Sequence, residues 1–348
     1  MLATSARAIF SVGKPAWQPG RDYVLDPATP RLPPTFARPL VFDSTALSAP
    51  DSLASWLRRD VSRRLLITTA RQQSQLARHP RLRAHLDSAL AKIVLVPKLT
   101  ASLAAEQTAR PEIYLLADRW RSGYMVNMRV DAELKHNYPT QNLAAILPGR
   151  TQPDSFLVVS AHYDHLGMMG RRTYFPGAND NASGVALLLE LAAHYARPEN
   201  RPAYSIVFLL FGAEEAGLVG SRYFVAHPLV PLPRIKFLVN LDLLGTGEEG
   251  ATVVNGKVFP AAFERLTQLN QAHRYLPSLG ARGKAANSDH FPFSEAGVPA
   301  FFLYTRGGSA AYHDVNDRPE ALSLVGFAGA FGLVRDFLDS FALTKNEE

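Results

Sequence analysis

Short, continuously apolar runs alternate with helix-like segments through the second part of this 348-residue chain. The strand-like runs include "FLVVSA", "YSIVFLLF", "IKFLVNLDL" and "PAFFLY", and helical patterns such as "GVALLLELAAHYA" lie between them. Strands that are apolar on both faces are typical of parallel sheets covered by helices on both sides. The pattern therefore predicts an α/β fold of three layers, α/β/α, around a central, mostly parallel mixed sheet.

The first part of the chain has a different character. Its first forty residues are rich in proline, and from Pro50 to about Leu116 helix-like stretches alternate with short apolar runs such as "RLLIT", "KIVLVP" and "EIYLLA". We interpret residues 1–135 as a small α/β subdomain and residues 136–348 as the larger domain.

The composition excludes several classes of function. The chain has no cysteine, so any metal must be held by histidine and carboxylate side chains. The formal charge of +6 comes from arginine-rich helical stretches without interleaved aromatic residues, and we expect no nucleic-acid partner. No apolar stretch approaches the roughly 20 residues that a membrane span needs. The opening "MLATSARAIFSVGKP" is a poor match to a signal peptide.

Histidine or carboxylate side chains follow almost every strand-like run of the larger domain. Each one alone has an ordinary explanation, since an aspartate before a helix is usually an N-cap. Together they indicate a site, because function in open α/β sheets lies beyond the carboxyl ends of the strands. The candidate residues are His162, Asp164, Asp180, Glu214, Glu215, Asp242, Tyr312 and His313.

The charges in this set indicate a pair of metal ions. Asp180, Glu215 and Asp242 bring three negative charges, and a bound hydroxide would bring a fourth. Two Zn²⁺ ions per chain would balance them, with His162 and His313 as neutral ligands. Without metal, desolvated carboxylates repel one another and their pKa values rise. Histidine and carboxylate ligands without sulfur are typical of catalytic zinc, and two such ions can share a carboxylate and a water.

Six motifs resemble those of the co-catalytic zinc aminopeptidases, a family that includes bacterial leucyl aminopeptidases and glutamate-carboxypeptidase-like exopeptidases. The motifs are, in order, "SAHYDH", "GANDNASG", "FGAEEAGLVGS", "NLDLLG", "SDHFPF" and "YHDVNDRPE", and the resemblance covers roughly residues 138–345. It implies the phosphorylase/hydrolase-like zinc exopeptidase fold for the larger domain. It also implies a protease-associated type of insert for the N-terminal subdomain.

The resemblance assigns the metal ligands. It implies that His162 and Asp242 bind one zinc ion and that Glu215 and His313 bind the other. Asp180 would bridge the two ions, and relatives tend to have a cis peptide bond directly after this aspartate.

The resemblance also assigns the catalytic groups. Glu214 would act as the general base, taking a proton from the water that bridges the ions and returning it to the leaving amine. Tyr312 would donate a hydrogen bond to the tetrahedral oxyanion. Asp164 would not bind metal itself but would orient the ligand His162.

The motif "SDHFPF" contains the residue types of a hydrolase triad, Ser288, Asp289 and His290. Three consecutive side chains cannot adopt triad geometry, so we interpret them as lining the pocket or supporting the ligands, Asp289 among them. Phe291 and Phe293 either line the substrate pocket or belong to the core.

These implications predict a metal-dependent exopeptidase, most simply an aminopeptidase that acts on peptide substrates. Three alternatives stay open. A glutaminyl cyclase, which "SDHFPFSEAGVP" also resembles, would use one zinc ion, and a carboxypeptidase would need a cluster of cations such as Arg282, Lys284 and Arg306. The third alternative is a binding module with a degenerate site.

Two further expectations come from the family. Its members suggest a secreted or periplasmic location, although the chain shows no signal peptide. Relatives begin with helices and a strand that precede any inserted subdomain, whereas this chain soon reaches "PGRDYVLDPATP", which resembles the insert. We therefore expect those opening elements to be missing from this chain.

Overall fold

The computed structural model describes residues 16–342 and divides into two compact units. The N-terminal unit takes in the chain up to Tyr138 together with Leu166–Phe175 and His313–Val315. The C-terminal unit consists of Pro139–His165, Pro176–Tyr312 and the chain from Asn316 onward. The expectations about the opening segment "MLATSARAIFSVGKP" lie outside the described residues.

The N-terminal unit is built on a six-stranded sheet. Its strands are β1 (Tyr23–Leu25), β2 (Leu32–Val41), β3 (Arg64–Thr69), β4 (Ala91–Val96), β5 (Glu112–Leu116) and β6 (Val126–Val130). They lie in the order β1-β5-β4-β3-β2-β6, with the four inner strands parallel and both edge strands antiparallel to their neighbours. The helices are α1 (Pro50–Leu57), α2 (Ala70–Leu76) and α3 (Pro80–Leu86). Their apolar residues form one core cluster with Phe42 and Leu66. The protease-associated type of this unit stays a prediction.

The remaining strands follow in chain order. They are β7 (Leu143–Leu147), β8 (Gln152–His162), β9 (Gly167–Met169), β10 (Thr173–Phe175), β11 (Tyr204–Phe211), β12 (Ile235–Leu241), β13 (Gly250–Val254), β14 (Leu279–Ala281) and β15 (Ala300–Arg306). Strands β9 and β10 form an antiparallel hairpin of the N-terminal unit. The other seven form one sheet in the order β14-β13-β15-β12-β8-β11-β7, in which β15, β12, β8 and β11 run parallel.

Helices cover both faces of the seven-stranded sheet. They are α4 (Gly184–Tyr195), α5 (Val219–Ala226), α6 (Pro260–His273), α7 (His290–Glu295) and α8 (Phe327–Asp339). Helices α4, α6 and α8 contribute to one core cluster, and α5 and α7 contribute to another. Strand β8 supplies both, because Leu157 and Val159 point to the first cluster and Val158 to the second. The predicted three-layer α/β/α fold with a mostly parallel mixed sheet is confirmed.

Within residues 16–342, no helix combines the length and the apolar character that crossing a bilayer requires. The carboxyl ends of β8, β11 and β12 meet at one edge of the sheet, since these strands are parallel neighbours. The residues that follow these strands are therefore brought together.

Candidate metal centre

Three buried side chains converge at the carboxyl ends of β8 and β12. The Nε2 atom of His162, the last residue of β8, lies 3.2 Å from Oδ1 of Asp180 and 3.5 Å from Oδ1 of Asp242. The ligand atoms of the three residues are close enough to share one cation. Oδ1 of Asp242 accepts no hydrogen bond from any residue in the described part of the chain. A buried oxygen in this state is costly unless a cation compensates it.

A second group of possible ligands shares Asp180 with the first. It consists of His165, Asp180 and Glu215, and Nδ1 of His165 lies 2.8 Å from Oε1 of Glu215. Asp180 thus belongs to both groups, as a carboxylate that bridges two cations would. The sequence predicted Asp180 and Glu215 here. It did not predict His165, although this residue stands in the motif "SAHYDH".

The loop before α4 presents Asp180 to the site. The peptide bond between Asp180 and Asn181 is cis, as the family resemblance predicted. The carboxylate of Asp317 accepts hydrogen bonds from the main-chain N–H groups of Asn179 at 2.9 Å and Asp180 at 3.0 Å. The side-chain amide of Asn181 donates to the carbonyl oxygen of Leu241 at 2.9 Å, which ties the loop to the end of β12. Sequence reasoning did not assign a role to Asp317 or Asn181, although both lie within the quoted motifs.

Asp164 fixes both the histidine before it and the glutamates after β11. Nδ1 of His162 lies 3.1 Å from the main-chain oxygen of Asp164, so it donates there and leaves Nε2 to face the carboxylates. The carboxylate of Asp164 accepts the main-chain N–H groups of Glu214 at 3.0 Å and of Glu215 at 3.3 Å. Asp164 therefore orients His162 through its carbonyl group, while its side chain holds the turn that carries Glu214 and Glu215.

A chain of buried hydrogen bonds fixes the other oxygen of Asp242. The hydroxyl of Ser288 donates to Oδ2 of Asp242 at 2.8 Å and accepts a hydrogen bond from the Asn240 amide at 2.8 Å. The hydroxyl of Ser160 donates to the side-chain oxygen of Asn240 at 2.7 Å. Ser288, Asn240 and Ser160 thereby set the orientation of the Asp242 carboxylate.

The rest of the "SDHFPF" motif forms no hydrolase triad. Burial lowers the pKa of His290 to about 4, so this imidazole is neutral at physiological pH. Phe293 is fully buried and packs against Phe211 and Phe224 in the core, which decides between the two alternatives for this residue. Phe291 is only partly buried, and the ammonium of Lys284 lies 5.8 Å from its ring centroid.

Burial and mutual repulsion shift the pKa values of the acids at this site. Burial raises the pKa of Glu214 to about 9, and the charges of Asp289, Asp242 and Glu215 add to the effect. Burial likewise raises the pKa of Asp289 to about 7. Asp289 is fully buried and its charge helps to raise the pKa of Glu214. Its place behind the ligands stays a prediction.

Neighbouring carboxylates also raise the pKa values of His162 and Tyr312. Burial lowers the pKa of His162, but the charge of Asp242 and the hydrogen bond to Asp180 outweigh it and raise the pKa well above its usual value. Partial burial, and then the charges of Asp180 and Glu215, raise the pKa of Tyr312. The residue is 52% exposed, and its phenol stays protonated at neutral pH, so it can donate a hydrogen bond.

His313, the other predicted ligand, belongs to the N-terminal unit. Its Nδ1 lies 3.1 Å from the main-chain oxygen of Ala101, and its own main-chain oxygen accepts the N–H of Ala101 at 3.0 Å. Because Nδ1 donates to a carbonyl group, Nε2 carries the lone pair that a metal ligand needs. The role of His313 as a ligand stays a prediction.

The pKa shifts predict how stability depends on pH when metal is removed. The folded protein keeps a proton on Glu214 up to a pKa of about 9, whereas an ordinary glutamate loses it near 4.5. The folded state therefore binds more protons between these values, and its free energy of unfolding falls as pH rises. Asp289, with a pKa of about 7, acts in the same direction.

We expect the melting temperature of the chelator-treated protein to fall from about pH 6 to about pH 8.5, measured by scanning calorimetry. Glu214→Gln and Asp289→Asn cannot titrate at these positions, so each should weaken the dependence on pH. A melting temperature that rises over this range would contradict the assigned shifts.

Comparison with known proteins gives the chain its family. The model of peptidase family M28 matches residues 142–337, which is more than half of the chain. Aminopeptidase YwaD of Bacillus subtilis is 30% identical over 243 residues, covering 66% of this chain and 50% of the relative. Leupeptin-inactivating enzyme 1 of Streptomyces exfoliatus is 32% identical over 165 residues, covering 47% of this chain and 35% of the relative. The chain therefore spans half or less of the length of these curated relatives.

Solved structures show the same fold. A zinc aminopeptidase from Bacillus subtilis has a TM-score of 0.72 and 21% identity, covering 97% of this chain and 81% of that one. A peptidase M28 precursor from Shewanella amazonensis has a TM-score of 0.71 and 17% identity, covering 99% and 83%. The residues matched by the family model include both groups of possible ligands at the strand ends, and the chain belongs to peptidase family M28.

Proposed function

We propose that this chain is a zinc-dependent aminopeptidase that hydrolyses N-terminal residues from peptides. The observation that carries the proposal is that two groups of possible ligands at the strand ends share the carboxylate of Asp180. Membership of family M28 and the aminopeptidases among its relatives support it.

The residues at the site fit zinc. Two ligands about 2.0–2.1 Å from one tetrahedral ion lie roughly 3.3 Å apart, and the His162 distances of 3.2 Å and 3.5 Å bracket this value. The site offers imidazole and carboxylate groups, and the unpaired Oδ1 of Asp242 faces His162. His162 and His313 each donate Nδ1–H to a main-chain carbonyl, as zinc-binding histidines do.

We therefore assign two zinc ions per chain. The groups at the strand ends supply His162, Asp180 and Asp242 for the first ion and Asp180 and Glu215 for the second. His313, whose contacts lie in the N-terminal unit, stays the predicted further ligand of the second ion. When bound, the two ions supply a water of lowered pKa and polarise the scissile carbonyl group.

Glu214 is the group that moves the proton. Asp164 holds its main-chain N–H, and the pKa of its carboxyl is raised by burial and by the charges of Asp289, Asp242 and Glu215. Its pKa of about 9 arises partly from the charges of Asp242 and Glu215, so it falls when those charges are neutralised. Glu214 then accepts a proton from the attacking water and delivers it to the amine that leaves.

Tyr312 stabilises the charge that develops on the substrate. Burial, and then the charges of Asp180, Glu215 and Asp242, raise the pKa of this phenol, so it keeps its proton at neutral pH. The phenol is half exposed and protonated, so it can donate to an oxyanion on a substrate that enters from solvent.

The candidate cations for a carboxypeptidase are engaged elsewhere. Arg282 donates to the hydroxyl of Tyr304 at 3.2 Å, and Arg306 donates to the main-chain oxygen of Glu249 at 2.8 Å. Lys284 forms an ion pair with Glu295. A substrate carboxylate would have to compete with these contacts for all three side chains, which favours an aminopeptidase.

One assay tests the substrate class. We expect the purified protein to release nitroaniline from leucyl-nitroanilide and to leave an N-terminally blocked peptide intact, because a blocked terminus lacks the free amine. A chelator should abolish turnover, and added zinc should restore it. Equal hydrolysis of the blocked peptide would favour the carboxypeptidase. Cyclisation of N-terminal glutamine with one zinc ion per chain would favour the glutaminyl cyclase.

Replacing the proposed general base tests whether turnover can be lost while zinc binding is kept. We expect Glu214→Gln to keep two zinc ions per chain, since Glu214 is not a ligand, and to lower kcat about 10²–10⁴-fold. Metal content by atomic emission and kcat on leucyl-nitroanilide check this. A Glu214→Gln variant with wild-type kcat would show that another group moves the proton.

A further inference from the structure

His165 makes one short contact with a predicted zinc ligand. Its Nδ1 lies 2.8 Å from Oε1 of Glu215, and the two side chains are 9% and 5% exposed. Both residues lie in the C-terminal unit, in the segment after β8 and the turn after β11. A carboxylate can only accept a hydrogen bond, so Nδ1 of His165 carries the hydrogen.

The distance between His165 and Glu215 is shorter than the separation expected of two ligands on one zinc ion. Two atoms bound to the same tetrahedral zinc ion lie roughly 3.3 Å apart, given bonds of about 2.0–2.1 Å. The His162 contacts with Asp180 and Asp242, at 3.2 Å and 3.5 Å, match that separation. The contact of His165 with Glu215, at 2.8 Å, matches a charge-assisted hydrogen bond instead.

The main chain at Gly177 fixes the imidazole of His165. A Cβ atom at Gly177 would lie 2.6 Å from Cγ and 2.7 Å from Cδ2 of His165, closer than real contacts allow. Gly177 also has a φ of +65°, a left-handed conformation that favours glycine. The backbone therefore lies directly against the ring and limits its movement away from Glu215.

We propose that His165 is a positioning residue for the second zinc ion: its Nδ1–H holds one oxygen of Glu215 and leaves the other oxygen to the metal. The inference rests on the proposed function, because it requires Glu215 to be a zinc ligand. Groups that hydrogen-bond a ligand from behind tune metal affinity by restricting its orientation, and their loss costs about 10–100-fold.

Zinc titration of two His165 variants tests the proposal. The metal-free protein is titrated with zinc against a chromophoric chelator, which gives separate dissociation constants for the first and second ions. We expect His165→Ala to raise the second constant about 10–100-fold and to leave the first within about threefold of wild type. His165→Asn places an amide donor near the position of Nδ1, so it should recover most of the lost affinity.

A third variant serves as a control, and circular dichroism checks that each variant is folded. His273, 53% exposed on α6, provides the matched control, because His273→Ala also removes one histidine and should change neither constant. Wild-type affinities in a folded His165→Ala variant would overturn the role of His165 and leave the proposed function standing. Equal losses in His165→Ala and His165→Asn would also overturn it, because the donated hydrogen bond would not be the cause. A wild-type chain that binds no second zinc ion would overturn the proposed function, and this inference with it.

Discussion

Repulsion between buried carboxylates dominates the carboxyl edge of the seven-stranded sheet. Asp180 and Asp242 are buried around His162, and Glu215 is nearly as enclosed. Burial is the main cause of the raised pKa of Glu214, about 9, and the charges of the neighbouring acids add to it. Unpaired charges in such a setting are expensive to bury. Cations that neutralise the acids remove the penalty, and they leave Glu214 able to exchange protons near neutral pH.

Hydrogen bonds within the fold orient the predicted ligands. Ser288 holds one oxygen of Asp242, Asp317 holds the loop of Asp180, and Asp164 holds the turn of the paired glutamates. These contacts come from loops that follow different strands of one rigid sheet. A site whose ligands are already oriented loses little conformational entropy on binding metal, and its geometry favours the intended ion.

The sequence points to the candidate ligands more directly than to the residues that orient them. His162, Glu215 and Asp242 could be found because parallel strands bring their carboxyl ends to one edge, so polar residues after apolar runs must meet there. The contact of Asp317 with Asp180 spans 137 residues, and that of His313 with Ala101 spans 212. No local pattern reports which distant main-chain group a given side chain will reach.

The positions of His165 and Phe293 could not be predicted from the sequence, for different reasons. His165 stands three residues after a predicted ligand, yet only the arrangement of strands β8 and β11 brings it to Glu215. Phe293 lies in a motif of the site, yet the period of its short helix turns it into the core beside Phe211. Likewise, segments 166–175 and 313–315 join the N-terminal unit from later in the chain, which no single linear boundary could express.

The central claim is that one aspartate joins two cation sites. Anomalous diffraction from crystals grown with zinc, recorded on both sides of the zinc absorption edge, tests it most directly. The account predicts two peaks about 3.5–4 Å apart, one in contact with His162 and Asp242, the other with Glu215, and both with Asp180. A single peak, or two peaks that do not share Asp180, would contradict it.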